Sequence, residues 1–231
     1  MLSFIENNVI FGMLISLGAF FIGQKINKRI PHPAFNPFLI SIVLIMILLK
    51  VIGLDYEVYK SQAMPLSMLL GPATVALAVP LYKNMVILRA NLKAVLIGIS
   101  AGVVASIISV VGLGYFLGTE VEIIRSLAPK AVTTPIAMEV SRLAGGIPSL
   151  TAGLVTITGV FGACFGPEIL RFFRIKSPLA RGIAIGTTTH ALGTSRAFKE
   201  GEVEGAMSSL AIGISGLLTA FITPYILRLI Q

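Results

Sequence analysis

Two stretches of this chain, 36–53 (NPFLISIVLIMILLKVIG) and 93–118, are apolar almost without interruption and hold one lysine each. About 20 predominantly apolar residues in a helix cross the hydrocarbon core of a bilayer. Hydrocarbon offers no partner to a backbone N–H or C=O, so only structures that satisfy their own backbone survive in it. The two runs therefore predict spanning helices and exclude an ordinary soluble globule. Composition agrees: 55% of the 231 residues are apolar and 12% are charged, where a soluble domain carries about 25% charged residues. Mean hydropathy is +0.93.

About eight apolar segments follow from the same pattern, near 8–24, 36–53, 63–82, 93–118, 123–143, 149–170, 179–197 and 205–229. The expectation is an all-α integral membrane protein, a single domain over 1–231, multi-pass in a bacterial-type inner (plasma) membrane. Net charge is +8, but the cations cluster between apolar runs, as at Lys25–Arg29, Lys83–Lys93 and Arg171–Lys176. Such clusters face anionic lipid and set orientation. The expected partner is the bilayer, not nucleic acid.

Three segments are not ordinary spans. Residues 64–84 hold Pro65, Gly71-Pro72 and Pro80, and residues 128–140 hold Pro129, Lys130, Pro135 and Glu139. Residues 180–198 hold three consecutive threonines, His190 and Arg196. Proline removes a donor and breaks a helix, and broken backbone persists in a membrane only where protein or a wet cavity surrounds it. An ungapped offset of 115 positions places Gly71, Thr74, Ala76 and Leu77 on Gly186, Thr189, Ala191 and Leu192. It also places Ile97–Ser100 on Ile212–Ser215. The chain thus reads as two repeats, 1–115 and 116–231. Paired interrupted segments in two repeats point to a transporter site near the midplane. Inverted repeats with broken or re-entrant third elements fit the charge clusters best.

Ionisable and polar groups within such segments are the candidate site. Lys130 is either an anion-attracting cation, with Thr133 and Thr134 beside it, or a lysine snorkelling from a helix end. Glu139 is a coupling carboxylate or the partner of Arg142 three positions on. Thr188, Thr189 and His190 lie between Gly186 and Gly193, where freed amides at a half-helix start would favour an anion. His190 is a donor or proton carrier there. Arg196 binds a carboxylate or anchors a loop beside Glu200. Asn36 and Thr74 complete the substrate-binding set, and Gly71, Pro72, Gly186 and Gly193 are the expected broken-helix positions.

G-x-x-x-G spacings at Gly98/Gly102, Gly114/Gly118, Gly162/Gly166 and Gly182/Gly186 predict close helix packing. The sequence has no Walker loop and no G-x-S-x-G, its two histidines lack metal-ligand spacing, and Cys164 is its one cysteine. No enzyme activity, cofactor or metal is expected.

The motifs LLGPATVALAVPLYKN, PKAVTTPIAMEVSRLAGGIPSLTA, TGVFGACFGPEIL, ARGIAIGTTTHALGTSRAF and EGAMSSLA resemble the LrgB/CidB family of bacterial membrane proteins over essentially the whole chain. The resemblance implies two roles. One is antiholin- or holin-like modulation of murein hydrolase activity and lysis, with a small LrgA/CidA-type membrane partner. The other is transport of small monocarboxylates such as pyruvate or glycolate, as in the plastid glycolate/glycerate transporter, which contains a domain of this family. The family is also grouped with antiporter-like folds that have inverted repeats and broken helices. The leading expectation is a secondary transporter of small organic anions, coupled to protons or sodium through Glu139 or His190. The alternative is the antiholin-like regulator. A homo-oligomer, with a dimer favoured, is expected.

Overall fold

The computed structural model describes residues 10–30, 35–69, 72, 75–76 and 78–228. Among them every regular element is helical. The chain divides into two compact units, Met1–Ala76 and Leu77–Gln231.

In the first unit, α1 (Phe11–Arg29) packs on α2 (Pro37–Ile52), followed by α3 (Tyr56–Gln62) and α4 (Met64–Met68). Gly23 lets α1 approach the Pro37 backbone, where an added Cβ would meet the carbonyl oxygen at 2.7 Å. The Phe20 and Phe38 rings meet across the pair, tilted by 50° with centroids 5.3 Å apart. Asn36 starts α2: its side-chain oxygen accepts from the Phe38 amide at 2.9 Å, with Pro37 in the first turn. This is the usual N-cap arrangement. Gly53, at φ 73°, ends the helix. Residues 36–53 were expected as a full-length span. Their helix has 16 residues, so it is about 24 Å long against a core of about 30 Å.

The second unit contains α5 (Ala78–Lys83), α6 (Met85–Ala90), α7 (Leu92–Phe116), α8 (Val121–Leu127), α9 (Thr134–Ala144), α10 (Pro148–Phe172), α11 (Pro178–Glu200) and α12 (Glu202–Arg228). Helices α7, α10 and α12 are long and apolar enough to cross a membrane. Their outer faces expose large apolar side chains, among them Ile97, Leu113, Ile157, Leu217 and Phe221. Contiguous exposed apolar surface of this kind suits a lipid environment, not water. The chain is a membrane protein.

The three long helices are held by small residues facing α11. Gly98 and Gly102 of α7 face Ile183 and Thr187. Gly162 and Gly166 of α10 face Thr189 and Ile185. Gly182 and Gly186 meet Glu204, Met207, Ser208 and Ala211 of α12. These are the predicted G-x-x-x-G faces. Gly114 faces Ile124, whereas Gly118 (φ 65°) lies just past the end of α7. Buried Val95, Ile99, Val103, Ile107, Ile124 and Met207 fill the core. The register of these contacts shows α7 and α12 running one way and α10 the other. The end where α7 and α12 begin and α10 finishes is here the near end; the opposite is the far end.

Element α11 is not one straight helix. His190 adopts φ 45°, ψ −143° inside it. The Arg181 and Glu200 side chains nevertheless meet at 2.6 Å. On a continuous helix their Cα atoms would be about 28 Å apart, beyond the reach of both side chains. Residues 178–189 therefore rise from the near end, the chain turns at His190, and residues 191–200 return. Contacts of the second limb agree: Arg196 reaches Glu168 of α10 at 3.4 Å and Thr194 reaches Ser208 of α12 at 2.6 Å.

Helices α8 and α9 form a second hairpin from the far end. The Ile147 amide at the start of α10 donates to the Ser126 hydroxyl, and Gly146 abuts Ser126, so the chain leaves the far end near Ser126 and returns to it at Gly146. The non-helical turn 128–133 is its tip. Pro129 and Pro135 bracket this turn and keep α8 from running into α9. At the 115 offset this hairpin corresponds to α1, which is a single 19-residue helix. Leu14 and Phe20 stand there in place of the two prolines, so the corresponding segments differ in form.

Candidate functional site

The two hairpin tips meet the long helices at mid-depth around one cavity of about 310 Å³. Lys130 of the first tip and Thr188 and Thr189 of the second line it, together with Ser106 of α7 and Thr158, Phe161 and other residues of α10. Lys130 is the sole charged residue on its wall. It is half-buried and forms no ion pair among the described residues. A lone ammonium facing a mostly apolar chamber attracts a small anion, because its charge is poorly screened there.

The threonines contribute differently from expectation. Thr188 and Thr189 donate to the carbonyls of Ala184 and Ile185 one turn back, at 2.7 and 2.6 Å. Their hydroxyl hydrogens are thus spent within α11, and toward a ligand they offer lone pairs only. The hydroxyls of Ser106 and Thr158, by contrast, have no hydrogen bond among the described residues. Those two are the available neutral donors. The sequence reading missed them because a single hydroxyl in an apolar span resembles packing. One signal was present: Thr158 lies four residues before Gly162, on the face that Gly162 and Gly166 continue.

His190 is buried at the tip of its hairpin, and its Nε2 lies 2.9 Å from the Val155 carbonyl. Gly159 makes room for the ring. His190 does not line the cavity; it holds the turn that presents Thr188 and Thr189. The break was expected near Gly186 and Gly193 and falls between them, at His190. Both glycines are helical and serve packing. A Cβ on Gly186 would strike the Ser208 backbone, and one on Gly193 would strike Thr189.

Other candidates are placed elsewhere. Glu139 and Arg142 pair at 2.6 Å on an exposed face of α9, as the i, i+3 spacing anticipated. Arg196 bonds Glu200 at 3.0 Å and Glu168 at 3.4 Å, in a network with Arg181 and Arg171 at the near end. It braces the hairpin foot rather than the cavity. Thr133 and Thr134 begin α9 beside Lys130 but do not line the cavity. The first turn of α9 lacks a side-chain cap, so its amides add positive potential at the tip. Asn36 belongs to the first unit and caps α2. Pro72 is exposed. Gly71 and Thr74 lie outside the described residues.

A family model described as the LrgB-like family matches residues 16–229. The chain belongs to the LrgB family. Similar proteins match over nearly the whole length. The uncharacterised protein YwbG of Bacillus subtilis (strain 168) is 36% identical over 93% of this chain and 94% of its own. The antiholin-like protein LrgB of Bacillus cereus (strain B4264) is 36% identical over the same shares of the two chains. YxaC of Bacillus subtilis (strain 168) is 36% identical over 94% of each chain. No solved structure matches this LrgB-family chain.

Proposed function

We propose that this chain acts as an antiholin-like membrane protein, restraining murein hydrolase activity and lysis from the inner (plasma) membrane together with a small LrgA/CidA-type partner. The observation carrying this reading is its 36% identity, over 93% of its length, to a protein named antiholin-like LrgB. In this reading the protein is multi-pass and non-enzymatic, and it assembles as a homo-oligomer. The near end faces the cytoplasm, since Lys83, Arg89, Lys93, Arg171, Arg174 and Lys176 gather there. Deleting the gene should raise autolysis and the murein hydrolase activity released, and restoring it should reverse both. Unchanged autolysis in the deletion strain would overturn the reading.

A second reading is favoured by a different observation, the cavity between the two hairpin tips with Lys130 on its wall. It makes the protein a secondary transporter of small organic anions such as monocarboxylates. Hairpins entering from opposite ends, and the 115-residue repeat, suit alternating access around a central site. Protein in liposomes should accumulate a labelled small carboxylate, and Lys130→Gln should abolish uptake without unfolding the protein. Uptake equal to that of empty vesicles across a substrate panel would reject transport and leave lysis control untouched.

A further inference from the structure

Arg125, near the end of α8, and Arg228, the last residue of α12, line one small cavity of about 120 Å³ at the far end. Neither forms an ion pair among the described residues. Arg228 instead lies 5.9 Å over the Tyr225 ring, and Arg125 passes the Gly145 backbone. Two guanidinium groups sharing one cavity repel each other unless an anion sits between them, and the planar fork of arginine suits a phosphate.

Leu143 and Pro224 line this cavity and also a second, apolar one of about 350 Å³, so the two adjoin. The second runs between α9 and α12 past Val140 and Ala220 to Ile136. From Leu143 to Pro135 it descends about 12 Å along α9, toward mid-depth. Its one carboxylate, Glu139, is already held by Arg142 through bonds of 2.6 and 3.0 Å. A pair of arginines without an ion-pair partner among the described residues, at the membrane boundary and opening into an apolar groove that descends through the bilayer, has the polarity profile of a phospholipid.

We propose that this is a binding site for an anionic phospholipid, with the phosphate between Arg125 and Arg228 and one acyl chain in the α9–α12 groove. Basic pockets between membrane helices hold lipid headgroups by this means. Neither lysis control nor solute uptake is required for it, so its failure would leave both readings standing.

The test uses full-length protein in detergent, titrated with phosphatidylglycerol or with phosphatidylcholine of the same chains. Bound lipid is counted by native mass spectrometry. Phosphatidylglycerol should bind roughly tenfold or more tightly, because each cation near a membrane surface favours anionic lipid. The Arg125→Gln/Arg228→Gln variant should lose that preference, and Arg125→Lys/Arg228→Lys should keep most of it. Ala220→Trp, which fills the groove and leaves the charge intact, should weaken both lipids. Equal binding of the two lipids by the unaltered protein would overturn the proposal. So would an undiminished preference in the Gln variant, or displacement of the lipid by millimolar inorganic phosphate alone.

Discussion

Arg181 and Glu200 belong to one 23-residue helical element, stand nineteen positions apart, and meet at 2.6 Å. No straight helix permits this. The ion pair therefore reports a reversal at His190 and brings both feet of the hairpin to one end of the unit. Each side chain is about one-seventh exposed, at 15% and 14%. Arg196 adds a second hold on Glu200 at 3.0 Å.

Arg181→Gln should accordingly destabilise the protein by roughly 2 kcal/mol, since a mostly buried carboxylate loses its closest charged donor. Removing both partners should cost less than the sum of the two single changes. Thermal unfolding in detergent measures each variant. Strict additivity would show that the pair contributes nothing as a pair.

The hairpin also has a topological signature. In a Cys164→Ser background, single cysteines at Lys176 and Lys199 should react with a membrane-impermeant maleimide from the same side. A cysteine at Arg228 should react from the other side. Labelling of positions 176 and 199 from opposite sides would mean that α11 crosses the membrane.

Gly186→Ala should fail to pack, because the atoms it meets belong to the Ser208 backbone of α12, with the Ser208 Cα at 2.7 Å. Overpacking of this kind costs about 1–3 kcal/mol. Gly98→Ala meets only the Ile183 methyl at 3.7 Å and should be nearly neutral. The difference in unfolding temperature between the two variants is the measurement.

His190 carries a positive φ of 45°, which a side chain with a Cβ tolerates poorly. His190→Ala and His190→Gly both lose the bond to the Val155 carbonyl, but glycine removes the Cβ strain. The glycine variant should be the more stable of the two by roughly 1 kcal/mol. The reverse order would place the turn elsewhere.

Much of this arrangement was legible in the residues. The run 93–118 announced α7, and two of the other apolar segments announced α10 and α12, because hydrocarbon leaves few alternatives for such sequences; the equally apolar run 36–53 formed a helix of only 16 residues. Pro129 and Pro135 marked the break between α8 and α9, and the threonine-histidine run marked an unusual α11. The turn itself was not legible at His190, since glycine is the residue that usually supplies positive φ, and Gly186 and Gly193 stood on either side. They were needed instead where α12 and Thr189 press against them. The cavity was half-legible: Lys130 stood out by its charge in an apolar segment. Ser106 and Thr158 did not stand out, because their availability as donors depends on which hydroxyls have already spent their hydrogen, and only the fold decides that. Arg196 could be read from the sequence as a carboxylate ligand or as an anchor beside Glu200, and the hairpin places it beside Glu168 and Glu200.

The turn at His190 also bears on the order in which the molecule is built. Neither limb of the α11 hairpin is long or apolar enough to enter the bilayer by itself, and its buried Thr187, Thr194 and His190 need protein neighbours. Helices α7 and α10 are made before it and α12 after it. The hairpin can therefore be fully enclosed only once α12, which packs against Gly182, Gly186 and Thr194, has been made. A ribosome that stops before α12 leaves it stranded at the membrane surface, so a chain truncated after Gly201 should be a substrate for quality-control proteolysis, not a smaller version of the same protein.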